Sequence, residues 1–100
     1  MNVFQERGIT HLDLHGERHF DVEGMILNFV YQYQNEIPLI IICGNSVEMI
    51  RIVSKELDKD SITYSSPRFG IIRIERIQIM TIQDILLLDD QLSDEELSIQ

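Results

Sequence analysis

Residues 9–15, ITHLDLH, alternate with the two-residue period of a strand. Leu12 and Leu14 fall on one face, His11, Asp13 and His15 on the other, and Gly16 ends the run. Over residues 21–36, DVEGMILNFVYQYQNE, the period lengthens: Val22, Met25, Ile26, Phe29, Val30 and Tyr33 form the stripe of an amphipathic helix. Asp21 is expected to cap it, with Phe20 stapled onto Met25. Gly24 costs such a helix about 1 kcal/mol relative to alanine, so it is either wanted for close packing on the sheet or simply tolerated. After Pro38, LIIIC is apolar at every position, as a central strand covered on both faces would be. Gly44 then makes a turn, Asn45 is expected to cap a second helix in a capping box with Glu48, and Met49, Ile50, Val53 and Leu57 make its buried stripe.

The last runs, SITYSS and IIRIERIQIM, read as two strands joined by PRFG. The second changes phase, since the pairs Ile72/Ile74 and Ile77/Ile79 differ by an odd offset, and a bulge near Glu75 and Arg76 would reconcile them. The order β-α-β-α-β-β predicts an α/β fold: a two-layer sandwich on a four-stranded mixed sheet, with a parallel pair, a right-handed crossover and a terminal antiparallel hairpin. Two helices cover one face of such a sheet. The other needs a cover, for which the candidates are the TIQDILLLDD segment (81–90) or a second copy in a homodimer. Residues 1–88 are expected to form a single domain, followed by an acidic tail over 89–100.

One hundred residues with 44% hydrophobic composition suit one core and not two. No run approaches the roughly 18 apolar residues a membrane span needs, and the N-terminus lacks a signal core, so no membrane partner and a cytoplasmic location are expected. Cys43, the one cysteine, lies in an apolar run that would raise its pKa, which argues against a nucleophile. The net charge of −9 argues against a wide phosphate-gripping surface. Its distribution qualifies that reading. Six of the 17 acids (Asp84, Asp89, Asp90, Asp94, Glu95, Glu96) follow residue 80, while all 8 bases precede it, so the body is only mildly acidic and leaves room for a local basic groove.

Chemistry concentrates at His11, Asp13 and His15, with roughly 7 Å between successive same-face residues. Metal binding would need three or four convergent ligands, and no second His or Cys cluster completes them. No cofactor is implied. Two readings stay open: acid–base chemistry, with Asp13 orienting His15 or a substrate hydroxyl, and polar residues on a solvent-facing strand. Arg18, Arg51 and Lys55 are either a positive field beside that strand end or solvated surface, and His19 either flanks the site or decorates a helix entry. Phe69, beside Arg68 in PRFG, either stacks on a base or packs back onto the sheet.

The motif Leu12-Asp13-Leu14-His15-Gly16, followed by helix, apolar strand, glycine turn and helix, resembles the small MutS-related (Smr) domain. The resemblance covers roughly residues 9–80 in element order. It implies a β-α-β-α-β-β sandwich that nicks DNA or cleaves RNA as a metal-independent endonuclease, with Asp13 and His15 as the acid–base pair and Gly16 letting backbone approach the substrate. In the family a second motif, HGxG, follows the second strand. Here that place is taken by Cys43, Gly44, Asn45 and Ser46, so only the first glycine matches. A phosphate could still rest on the helix start over Asn45 to Val47, with Arg51, Lys55 and Arg18 replacing part of the lost charge.

Two functions follow as expectations. The first is an Smr-like domain binding DNA or RNA through Gly16, Arg18, Gly44, Asn45, Ser46 and Arg51, with endonuclease chemistry at Asp13 and His15. The alternative is a non-catalytic protein-interaction module on the same scaffold, with the acidic tail engaging a protein partner. A third reading, an inhibitor mimicking DNA, fits poorly with acids clustered at one end.

Overall fold

The computed structural model describes residues 1–77. It is an α/β fold with a five-stranded mixed sheet, one strand more than expected. The added strand, β1 (Asn2–Glu6), forms a hairpin with β2 (Ile9–Asp13) through a turn at Arg7 and Gly8. Both turn residues have positive φ, 52° and 79°, the conformation that matches a two-residue turn to strand twist. β1 also satisfies a buried polar group: Thr10 lies in the core and its hydroxyl accepts a hydrogen bond from the Gln5 amide at 2.8 Å.

The chain continues through α1 (His19–Gln32), a 3-10 turn at Gln34–Glu36, β3 (Leu39–Ile42), α2 (Val47–Lys59), β4 (Thr63–Arg68) and β5 (Ile71–Arg76). The strands lie in the order β1-β2-β3-β5-β4. β2 and β3 are parallel, with Leu12 opposite Ile41, and every other pairing is antiparallel. LIII is therefore the middle strand, as its unbroken apolar run suggests. Alternation sends Leu12, Leu39, Ile41, Ile72 and Ile74 into one core with Val22, Ile26 and Phe29 of α1 and Val53 and Leu57 of α2. Ile40, Ile42 and Ile71 face the other side and are only half-buried. The segment 81–90 expected to cover them, and the tail over 89–100, lie outside the described residues. Among the described residues no helix is long and apolar enough to cross a membrane.

The phase break in the last strand is a bulge. Thr63 pairs with Arg76 but Tyr64 with Ile74, which leaves Glu75 as the extra residue and returns Ile77 to the core at 8% exposure. A second irregularity falls between Ser65 and Arg68, around Pro67, on an edge strand where proline costs no ladder bond.

Helix starts differ from expectation. α1 begins at His19 with Arg18 in the cap position; Asp21 sits in the first turn instead, and its amide donates to the Arg18 carbonyl. Phe20 is 77% exposed, so no staple to Met25 forms. Gly24 is exposed with open space where a β-carbon would stand, which makes it a tolerated glycine and not a packing device. The cap of α2 is Ser46, whose Oγ accepts from the Met49 amide at 3.1 Å, one residue later than predicted. Glu48 pairs with Arg51 in place of closing a capping box.

Candidate functional site

Two chain corners meet at the carboxyl ends of the parallel strands β2 and β3. At the first, Leu14 extends the pairing by donating its amide to the Ile42 carbonyl (3.0 Å), and its side chain is fully buried. The Asp13 carboxylate accepts the His15 amide at 2.9 Å, a side-chain turn that bends the backbone. Gly16 follows at φ 82°, and the Glu17 amide closes the corner on the Leu14 carbonyl. Leu14 is thus locked into the core while His15 is left exposed. The half-buried Asp13 therefore acts on the backbone of His15: its Oδ1 takes the amide of that residue.

At the second corner the Cys43 amide donates to the Gly70 carbonyl at 2.7 Å, and Gly44 turns the chain at φ 73°. Gly70 is pressed against it: a β-carbon at Gly70 would stand 2.2 Å from the Gly44 oxygen. The hairpin tip between β4 and β5 is thereby fastened to the loop that opens α2. Cys43 is buried, which pushes its thiol up to about 11 and keeps it protonated at neutral pH.

Between the corners lies an open cleft of about 500 Å³. His15, Gly16, Glu17 and His19 line it from the first corner; Gly44, Asn45 and Ser46 line it from the second, over Cys43 and Met49. Of the expected site residues, the fold brings together His15, Gly16, Gly44, Asn45 and Ser46. Asp13, Arg18 and Arg51 do not line the cleft, and neither does any other Arg or Lys among the described residues. Arg51 is engaged by Glu48 on the exposed face of α2; hydrogen bonding between them raises the guanidinium pKa and lowers that of the carboxyl. The three-residue spacing of Glu48 and Arg51 already signalled that pair.

Glu17 is a lining residue that the sequence pattern does not mark. His19 does flank the site. His11 does not belong to it. Its ring stacks on Phe4 (centroids 5.0 Å apart), Nδ1 is 2.8 Å from the Ile9 carbonyl and Nε2 is 3.8 Å from Glu6. His11 and His15 sit on different surfaces because β2 ends at Asp13 and the Gly16 corner breaks the alternation. No three His, Cys, Asp or Glu side chains converge as a metal site among the described residues. Comparison of the chain with models of protein families, with curated proteins and with solved structures finds no match.

Proposed function

We propose that the chain is an Smr-like nucleic-acid-binding domain that holds a phosphodiester in the cleft between the two corners, with His15 as the proton-transfer group of a metal-independent endonuclease. The observation that carries this reading is convergence: His15 and Gly16 of the LDLHG corner share one cleft with the Gly44-Asn45-Ser46 corner. Sites in open α/β sheets form outside the carboxyl ends of strands, which is where these corners meet. The first turn of α2 offers amides with no intrahelical partner and the positive end of the helix dipole. Ser46 occupies the Met49 amide, and those of Val47 and Glu48 precede it in that turn. Histidine is the side chain most often used for proton transfer in catalysis. Asp13 is a positioning residue, because its carboxylate holds the backbone of His15.

The cleft also limits the chemistry. Where the resembling family has its second histidine stands a buried, protonated Cys43, which does not replace that proton carrier. A missing general acid or base slows such a reaction by about 10²–10⁴-fold. Slow cleavage is the expectation. Supercoiled DNA and structured RNA incubated with the full chain in EDTA test it: cutting that vanishes in His15→Ala supports the reading, and cutting that survives His15→Ala refutes the role of that residue.

A second reading, a non-catalytic interaction module with the acidic tail over 89–100 engaging a protein, draws support from a different observation. The sheet face opposite the helices carries a groove of about 490 Å³ floored by Ile9, Ile40, Ile42 and Ile71. Under that reading no cutting occurs, and deletion of residues 89–100 dissolves a complex detectable by pull-down.

A further inference from the structure

The two faces of the sheet are unequal. α1 and α2 cover the core on one side, while on the other Ile9, Ile40, Ile42 and Ile71 floor an open groove of about 490 Å³ and are only half-buried. These four isoleucines come from three neighbouring strands, β2, β3 and β5. A parallel pair such as β2 and β3 is ordinarily covered on both faces, and a contiguous apolar patch edged by charge marks a docking surface. The charge at this edge is positive. Arg7 and Arg68 line the groove, are exposed, and form no ion pair among the described residues. Glu6, the one carboxylate lining it among the described residues, lies 3.8 Å from His11 Nε2. Arg73, placed on the same face by its register opposite Ile40, is engaged by Glu75 at 3.3 Å. The groove therefore suits an apolar occupant that carries acids.

We propose that residues 81–90 of this chain, TIQDILLLDD, are that occupant, with their apolar residues on the isoleucine floor and Asp89 and Asp90 against Arg68. The segment holds Ile82, Ile85, Leu86, Leu87 and Leu88, ends on two carboxylates and contains no base. Its point of departure fits. β5 runs from Ile71, which pairs with Arg68 and Ile42, to Arg76, which pairs with Thr63, so the chain leaves the sheet at the end where β3 begins. A segment that turns back over the face travels toward Arg68 and brings its last acids there. The lengths agree as well: β5 is about 17 Å long, and ten residues span about 15 Å as a helix. The link over residues 78–80 reaches roughly 10 Å, which is about the spacing of stacked layers. A second copy seated face to face would instead offer the same two arginines again, with only Glu6 in return. The inference is independent of the phosphodiester reading. It closes the groove that the interaction-module reading offers to a protein, until residues 81–90 leave it.

The test is paramagnetic broadening in the isotopically labelled full chain. A nitroxide is attached at Ser93→Cys, just past the segment, while Cys43 is buried and stays unmodified. Amide signals of Ile40, Ile42 and Ile71 are expected to lose most of their intensity, and those of Gly24 and Arg51, exposed on the helices, to keep it. Leu86→Asp should restore most of the lost signal, since a charge does not seat on an isoleucine floor. Arg68→Glu, which sets like charges together, should restore part of it at low salt. Arg68 is exposed, so that variant keeps the test decisive even where Leu86→Asp fails to fold. Absence of broadening at Ile40, Ile42 and Ile71 overturns the proposal, as does broadening that is equal on both sides of the sheet or that survives both substitutions. Broadening of a nitroxide-free labelled chain by an unlabelled chain bearing the nitroxide overturns it too, because the occupant is then a second copy.

Discussion

Gly70 lies so close over Gly44 that a β-carbon on it would stand 2.2 Å from the Gly44 carbonyl oxygen, and its own φ is 82°. Two glycines 26 positions apart thus let a hairpin tip seat on the loop that begins α2. Gly70→Ala must both adopt a left-handed conformation and push that carbonyl away. It should destabilise the chain by about 2–4 kcal/mol, combining the left-handed penalty with overpacking, as read from urea unfolding. Gly44→Ala has open space and should cost only the conformational part, about 1–2 kcal/mol.

Gly24 is the opposite case. It is helical, exposed and unobstructed. Gly24→Ala should stabilise the chain by about 0.4–1 kcal/mol, chiefly by restricting the unfolded chain, and raise the thermal midpoint. A loss of stability would mean that something packs against α1 there.

The hydrogen bond from the His15 amide to Asp13 separates two roles for that carboxylate. An asparagine oxygen accepts the same bond, so Asp13→Asn should keep the corner and most of whatever activity His15 supports. Asp13→Ala should lose about 1 kcal/mol of stability and most of the activity. If Asp13→Asn were as inactive as Asp13→Ala, while equally stable to the unaltered chain, the charge itself would be required.

Cys43 makes a pH prediction with a definite sign. Burial raises its pKa from 9.0 to about 11, so the folded state holds the proton more tightly than the unfolded state does. Stability from this group is fully present below pH about 9 and falls as the pH rises from there through about 11, by about 2–3 kcal/mol in all. Burial also raises the Tyr64 hydroxyl, adding to the alkaline loss in the same direction. Urea unfolding at pH 8 and pH 10.5 should show the decline, and Cys43→Ala should flatten it. The native thiol should also resist alkylation at pH 8 until the chain is unfolded.

Periodicity carried most of the fold. The stripe from Val22 to Tyr33 and the unbroken LIII run located α1 and the middle strand, and the odd offset between Ile74 and Ile77 located the bulge at Glu75. β1 escaped because Val3 and Phe4 are adjacent apolar residues on opposite faces. Gln5, on the core-side row, looks polar until its partner Thr10 is known. The site was legible where it depended on local chain chemistry, at Gly16 and Gly44, whose positive φ only glycine adopts cheaply. It was not legible where distant contacts decide: the clamp of Gly70 on Gly44 and the place of Glu17 in the cleft lining have no signature in neighbouring residues. Arg18 and Arg51 show the reverse failure, since charge in a promising segment says nothing of where it points.

The central claim is that nucleic acid binds where the two corners meet. Amide chemical-shift mapping of the isotopically labelled chain, titrated with a short single-stranded oligonucleotide, tests it most directly. The largest shifts are expected on His15, Gly16 and the stretch from Gly44 to Glu48. Shifts confined to Ile40, Ile42 and Ile71 on the opposite sheet face, with the cleft amides unmoved, would contradict it.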